Sequence, residues 1–319
     1  MTKRVVVTDY TFPELAQEKA AAQDAGAAFE GVQCKTDAEV ATAVAGADVV
    51  AVQFAQFGEQ SAKAVAKGAT IIRYGVGYDN INLAAAKAAG LQVGYVPDYC
   101  TDEVADHTAA VALMLLRKLK QLDGSVRGGE WAAVKYAKPM KPFNETVFGF
   151  FGLGQIGQAV LTRLKGFGFR FIVADPGLDT ARATALNVKL VDADTLLKTS
   201  DIISLHAPGT PQTIKFFNAK RLAMMQSHAQ LINSARGQLI VEDDLAAALE
   251  AGVIGGAGLD VFCTEPLPAD SKLRSAPNTI LTPHVAWFSD AAISKLQGLV
   301  AQDIARALDG KSPRKPVKL

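Results

Sequence analysis

Cysteine is scarce in this chain and poorly placed for chemistry. Cys34, Cys100 and Cys263 are odd in number and far apart, with no CxxC pair and no histidine at zinc spacing. A disulfide framework and a structural zinc site are excluded, no metal is expected, and a reducing compartment fits best. An excess of one charge is lacking too: thirty-three Lys plus Arg stand against thirty-two Asp plus Glu. That balance gives no field to hold a polyanion or an anionic membrane, so neither nucleic acid nor membrane is expected as a partner. The one basic cluster, Lys311, Arg314, Lys315 and Lys318, reads as a solvated tail. Long hydrophobic runs are missing as well. Met1-Thr2-Lys3-Arg4 leads into only three valines, too short for a signal peptide, and a cytoplasmic location is the expectation. The longest uncharged stretch, Thr146 to Thr162, is broken by glycines and glutamines and falls short of the roughly 18 apolar residues of a membrane span. What remains, in 319 residues at 49% hydrophobic and 20% charged, is the make-up of a soluble chain with about two well-cored domains.

Short apolar runs recur between alanine-rich amphipathic stretches: Val5–Val7, Val49–Val52, Ile71–Arg73, Val147–Phe151, Phe171–Ala174, Val188–Val191, Ile202–Leu205, Gln230–Asn233, Ala257–Asp260 and Thr279–Thr282. Strands alternating with helices predict parallel βα units. The pattern changes over Thr101 to Leu122, where Val104, Ala105, Val111, Ala112, Leu115 and Leu119 give one wide helical face. Thr101 before Asp102 and Glu103 suits a helix start. One long helix there would carry the chain from a first α/β unit to a second. Gly124 to Asn144 reads as irregular, with Trp131 as an anchor for a surface arm on another subunit or for burial on its own domain. Asp290 to Leu308 has helical spacing and is expected to return to the first domain.

Phe148-Gly149-Phe150-Phe151-Gly152-Leu153-Gly154-Gln155-Ile156-Gly157 reads as a strand, a GxGxxG turn and a helix start. Gly152 permits the tight turn, Gly154 lets the backbone approach a pyrophosphate, and Gly157 lets the helix lie close on the strand. The amides of Gln155 and Ile156 at that helix start would bind the phosphates. A second strand then ends at Asp175, where an acid accepts hydrogen bonds from the ribose hydroxyls and repels a 2′-phosphate. With no Arg or Lys following until Arg182, NAD is favoured over NADP as the cofactor.

Ligands of such folds sit beyond the carboxyl ends of the strands. The residues that follow four successive apolar runs are His206-Ala207-Pro208, with Thr213 further on; Asn233-Ser234-Ala235-Arg236-Gly237; Asp260, with Cys263-Thr264-Glu265 after it; and Thr282-Pro283-His284-Val285-Ala286-Trp287. With the GxGxxG turn, Arg73-Tyr74-Gly75-Val76-Gly77-Tyr78-Asp79-Asn80 and Thr101-Asp102-Glu103-Val104-Ala105-Asp106-His107, these motifs make the chain resemble the D-isomer-specific 2-hydroxyacid dehydrogenases over essentially its whole length. The resemblance is closest to the C-terminal-binding-protein-like branch.

The resemblance implies two Rossmann-like, doubly wound parallel-sheet α/β domains with a cleft between them: a substrate domain of residues 1–101 and 289–319, and an NAD-binding domain of residues 102–288. It implies hydride transfer between NAD(H) and C2 of a 2-hydroxy or 2-oxo acid. Arg236 would hold the substrate carboxylate, because a planar cationic fork can pair with it and polarise the C2 oxygen together. His284 would be the acid/base, since an ordinary histidine pKa near ~6.5 suits proton transfer in both directions. Glu265 would fix its ring. The amides of Val76 and Gly77 complete the carboxylate site. Asp260 would lie at the nicotinamide amide, Ser234 and Ala235 along its ribose, His206, Pro208 and Thr213 near the ribose and phosphates, and Val104 behind the ring. His107 is read as structural.

Val52 to Phe57 is expected to line the substrate pocket and holds no cation, which argues against a phosphorylated substrate, although Arg73 is close in sequence. Trp287 favours an uncharged, modestly apolar side chain on the acid. The chain's end soon after its last helix leaves no room for a regulatory domain. A glyoxylate or hydroxypyruvate reductase, or a phosphoglycerate dehydrogenase, would use the same catalytic set. An NAD(H)-responsive partner-binding protein is the reading from another class. The crossover helix and the arm suggest a homodimer.

Overall fold

The computed structural model describes residues 2–319 and divides into two compact units. One comprises the residues up to Cys100 together with Phe288–Leu319; the other is Thr101–Trp287.

In the first unit, β1 (Arg4–Val7), α1 (Ala16–Asp24), β2 (Ala28–Gly31), α2 (Asp37–Ala43), β3 (Val49–Val52), α3 (Glu59–Ala64), β4 (Thr70–Arg73), α4 (Leu83–Ala88) and β5 (Gln92–Tyr95) alternate. The strands form a wholly parallel sheet in the order β2-β1-β3-β4-β5. Buried on both faces, Val5–Val7 of β1 and the whole of β3 need apolar residues at every position, which is why they read as nearly continuous valine runs. The edge strands β2 and β5 escape the sequence pattern. Ala28–Gly31 is mostly exposed and mixes Glu and Gly with its apolar residues, and Gln92–Tyr95 is equally mixed.

The second unit runs α5 (Thr101–Leu116), α6 (Leu119–Arg127), α7 (Ala133–Ala137), β6 (Val147–Phe151), α8 (Gln155–Leu164), β7 (Arg170–Ala174), α9 (Thr180–Leu186), β8 (Lys189–Leu190), α10 (Ala193–Thr199), β9 (Ile202–Leu205), α11 (Ala219–Leu222), β10 (Gln230–Asn233), α12 (Glu242–Glu250), β11 (Gly256–Leu259) and β12 (Thr279–Leu281). Its seven parallel strands lie in the order β12-β11-β10-β9-β6-β7-β8, so the order reverses between β6 and β9, beside the glycine-rich turn. Helix α13 (Asp290–Leu308) belongs to the first unit, where it packs against α1.

Three expectations are corrected. The helix predicted over Thr101 to Leu122 is two helices, broken at Lys118, whose backbone is left-handed at φ 51°. The break lets α6 turn towards β12, where the Lys120 ammonium donates to the Thr279 carbonyl and the Gln121 amide to Asn278. The segment from Gly124 on is less irregular than expected, since α6 continues to Arg127 and α7 follows. Trp131 is not buried on its own unit; it is 93% exposed. The basic tail is also more than a solvated run. The Arg314 amide donates to the buried carboxylate of Asp303, and Val317 and Tyr95 join the tail to β5 by backbone hydrogen bonds.

Below the glycine-rich turn, Phe148 is fully buried among Phe150, Phe169 and Phe171, with ring centroids 5.0, 5.5 and 6.0 Å away. Phe148→Ala should cost about 3–5 kcal/mol, as for other buried aromatic truncations. Urea unfolding of the two proteins measures it, and a loss below 1 kcal/mol would show that this cluster does not support the sheet.

Candidate active site

The turn between β6 and α8 is built for close approach. Gly152 has φ +85°, and a Cβ there would meet the Ala207 amide nitrogen at 2.9 Å. Beyond it, α8 starts at Gln155 after Gly154, which has no side chain to cap the amides of the first turn. Asp175, directly after β7, accepts from the Leu153 amide (2.7 Å) and the Gly177 amide (2.7 Å). It thereby ties the glycine turn to the next strand. A pocket of about 460 Å³ opens here, lined by Leu153, Gly154, Gln155, Asp175 and, from α9, Arg182 among others.

The polar residues at the ends of β10, β11 and β12 form a second group. Asn233 folds the Arg236 loop: its side-chain oxygen accepts the Ala235 amide at 3.0 Å and its nitrogen donates to the Arg236 carbonyl at 2.8 Å. No role is expected of Asn233 from the family motifs, although Asn at a strand end is a turn-forming signal. Gly237 then packs so tightly that a Cβ would stand 2.0 Å from the Phe262 carbonyl carbon, which sets the Arg236 loop against the turn carrying Glu265.

Glu265 accepts the Phe262 amide on one oxygen (2.9 Å) and the His284 ring on the other, Nδ1 to Oε2 at 2.7 Å. Burial raises the Glu265 pKa, but the His284 hydrogen bond and charge, the Phe262 amide and the Arg236 cation outweigh it, and the net shift is downward. An ionised carboxylate is acceptor-only, so Nδ1 carries the proton of that bond and proton exchange falls to Nε2. His284 itself is left-handed at φ 52°, a conformation that costs a non-glycine residue about 1 kcal/mol or more and is held by its surroundings. Its carbonyl accepts the Trp287 indole N–H at 2.7 Å.

Residues 109–286, more than half the chain, match the sequence profile of the D-isomer specific 2-hydroxyacid dehydrogenase NAD binding domain. The chain is 36% identical to a glyoxylate reductase of Thermofilum pendens, over 76% of this chain and 73% of that one. This chain belongs to the D-isomer-specific 2-hydroxyacid dehydrogenase family. It is also 38% identical to the chloroplastic D-3-phosphoglycerate dehydrogenase 2 of Arabidopsis thaliana, over 75% of this chain but only 38% of that longer protein. The D-lactate dehydrogenase of Aquifex aeolicus, solved with NAD and lactic acid, superposes with a TM-score of 0.86 at 26% identity, covering 96% of both chains.

The second unit is thus the family's NAD-binding domain, and its predicted cofactor residues sit at its strand ends, in the loops that follow them, or on α5 and α8. Val104 is buried on α5. The His206 ring, directly after β9, bonds Ser204 Oγ at 2.8 Å, and burial brings its pKa down to about 4, so it is neutral at neutral pH. Thr213 turns its hydroxyl to the Pro208 carbonyl (2.5 Å), closing that loop on itself. The Ser234 hydroxyl meets Thr108 on α5 at 2.7 Å, so its side chain faces α5. Asp260 is 3% exposed, and its carboxylate accepts from the Thr282 hydroxyl and the Val285 and Ala286 amides.

In the first unit, Val76 and Gly77 follow β4, after Gly75 at φ +124°. Arg73 folds back to donate to the Tyr74 carbonyl at 2.5 Å. The expected pocket segment is corrected in part: Val52, Gln53, Ala55 and Phe57 are buried, and only Phe54 and Gln56 are exposed. Asp9, beyond the end of β1, causes this by accepting the Gln53, Phe54 and Ala55 amides and so fixing the turn.

Sequence distance made Arg182 look remote from Asp175, yet both line one pocket. Discrimination against a 2′-phosphate then falls to the Asp175 charge. Asp175→Ser should move the NADH:NADPH preference towards NADPH by about tenfold or more, as for loss of one charge repulsion next to a cation. Steady-state kinetics with both cofactors test this; an unchanged ratio would remove Asp175 from cofactor selection.

Proposed function

We propose that this chain is an NAD-dependent D-2-hydroxyacid dehydrogenase acting on a 2-oxo or 2-hydroxy acid with an uncharged side chain. The observation that carries the reading is the 2.7 Å bond from His284 Nδ1 to a carboxylate held ionised, beside the Arg236 loop. Bound NADH supplies the hydride to C2. Arg236 pairs with the substrate carboxylate and polarises the C2 oxygen, aided by the Val76 and Gly77 amides. His284 delivers a proton from Nε2 to that oxygen and recovers it in oxidation, and Glu265 stabilises the imidazolium that exists before delivery. Gly152, Gly154, Gln155, Ile156, Gly157 and Asp175 would hold the cofactor, with Val104, His206, Pro208, Thr213, Ser234, Ala235 and Asp260 around its nicotinamide half and phosphates.

An exposed Phe54 with no cation between Val52 and Phe57 supports an unphosphorylated substrate, as does Trp287. Glyoxylate and hydroxypyruvate remain within this reading. The complete Arg236, Glu265 and His284 set favours catalysis over a role as a dinucleotide-gated partner-binding protein of the C-terminal-binding-protein-like branch. Three scattered cysteines with no CxxC pair are in keeping with a reducing, cytoplasmic setting.

NADH oxidation should be faster with glyoxylate, hydroxypyruvate or an apolar 2-oxo acid than with phosphohydroxypyruvate. Preference for the phosphorylated acid would overturn the substrate assignment. His284→Ala should lower kcat by about 10²–10⁴-fold, the usual worth of a general acid, while the Kd for NADH stays within twofold. Undiminished turnover would refute the role of His284.

A homodimer is part of the same proposal. Trp131 (93%), Val134 (65%), Val126 (56%) and Leu119 (49%) are exposed on α6, α7 and the arm between them, an apolar surface with the aromatic anchor typical of symmetric interfaces. Sedimentation should give a dimer for the native chain and a monomer for Trp131→Asp. A native monomer at micromolar concentration would end this assignment.

A further inference from the structure

Asp260 stands at a meeting point that a cofactor contact alone does not explain. Four donors from the five consecutive residues Thr282 to Ala286 converge on this one residue. Its Oδ1 accepts the Thr282 hydroxyl at 2.6 Å and the Val285 amide at 2.9 Å, its Oδ2 accepts the Ala286 amide at 2.9 Å, and its carbonyl accepts the His284 amide at 2.8 Å. Three of the roughly four lone-pair positions of the carboxylate are therefore occupied from within the chain. The bonded segment is the one that carries His284, at left-handed φ 52°.

A second histidine extends the arrangement. The single hydroxyl proton of Thr282 is committed to the carboxylate, so its oxygen is the acceptor in the 3.2 Å contact with His107 Nε2. His107 thus carries its proton on Nε2. It reaches this point from α5, with Nε2 3.9 Å from Asp260 Oδ1. The backbone of His284 is gripped at its amide by Asp260 and at its carbonyl by the Trp287 indole, while Glu265 holds its ring.

We propose that His107, Thr282 and Asp260 form a brace that sets the position of His284, making Asp260 a positioning residue for the acid/base as well as any cofactor contact it makes. The proposal rests on the catalytic reading of His284 above. It assigns a shared task to two residues, His107 and Thr282, that neither the GxGxxG motif nor the catalytic set includes. Tight parallel-strand packing makes the device possible: β11 and β12 are neighbours, so an acid at the end of one faces the loop leaving the other.

The test uses the full chain carrying Thr282→Val, Thr282→Ser or Asp260→Asn. The readouts are kcat, KM for the 2-oxo acid, Kd for NADH, and deuterium uptake by the peptide containing Val285 and Ala286. Thr282→Val removes the hydroxyl at nearly constant volume, so it remains informative if Asp260→Asn does not fold. It should lower kcat by about tenfold, in line with the cost of sub-ångström misplacement of a reacting group. KM and the Kd for NADH should stay within twofold, and uptake at 285–286 should quicken. Thr282→Ser, which keeps the hydroxyl, should restore both kcat and protection. Weakened NADH binding in Asp260→Asn, with kcat and protection untouched in Thr282→Val, would overturn the brace and leave Asp260 as a cofactor contact. If the native chain turns over no 2-oxo acid, the catalytic reading fails separately. The exchange data then decide the brace: lost protection in Thr282→Val but not in Thr282→Ser supports it, and equal protection overturns it.

Discussion

The loops that carry chemistry leave the carboxyl ends of parallel strands, where their backbone amides have run out of strand partners, and an amide left unpaired in a partly buried place is costly. One solution recurs in both units: an acid at or just beyond the end of one strand accepts the amides of the loop leaving the neighbouring strand. Asp9, after β1, binds the loop after β3; Asp175, after β7, binds the glycine turn after β6; Asp260, after β11, binds the loop after β12. The pairs β1–β3, β6–β7 and β11–β12 are each adjacent in their sheets. Each carboxylate satisfies two or more donors at once. The placement of Phe54, of the glycine-rich turn and of His284 all depends on this interaction.

Around that frame, Glu265, Arg236 and His206 gain their properties from close neighbours. The Glu265 pKa is lowered despite burial, first by the hydrogen bond and charge of His284 itself and then by the Phe262 amide and the Arg236 cation. Arg236 reaches that turn because Asn233 folds its loop and Gly237 admits the Phe262 backbone. His206 is the opposite case, a ring that burial keeps neutral beside the glycine turn. Two histidines of one domain therefore differ in character through environment alone, one paired with a carboxylate and one with a serine hydroxyl.

Much of this was legible in the sequence because parallel strands buried on both faces must be apolar throughout, and because glycine is required where two backbones touch. The valine run of β3, the phenylalanine-rich β6 and the GxGxxG turn all follow from those two rules. The edges were not legible: β2 has one flank uncovered and β5 is flanked on its outer side only by the C-terminal tail, so Glu30, Gly31 and Gln92 are tolerated there and the periodic signal is lost. The break at Lys118 left no proline or glycine to mark it. It is fixed by what α6 reaches, the Thr279 carbonyl and Asn278, residues some 160 positions away.

The sequence by itself determined the βα alternation, the positions of the turns, the residue types at the strand ends and, through their combination, the family. Those depend on local periodicity and on side-chain chemistry that each residue carries with it. Tertiary structure alone decided that Asp260 holds the loop of His284, that His107 reaches Thr282 from another helix, that Arg182 shares a pocket with Asp175, and that Phe54 and Gln56 are the exposed members of their segment. Each of these depends on a hydrogen bond or a contact between strands and helices distant in the chain, and no local pattern encodes which residues the sheet order will bring together.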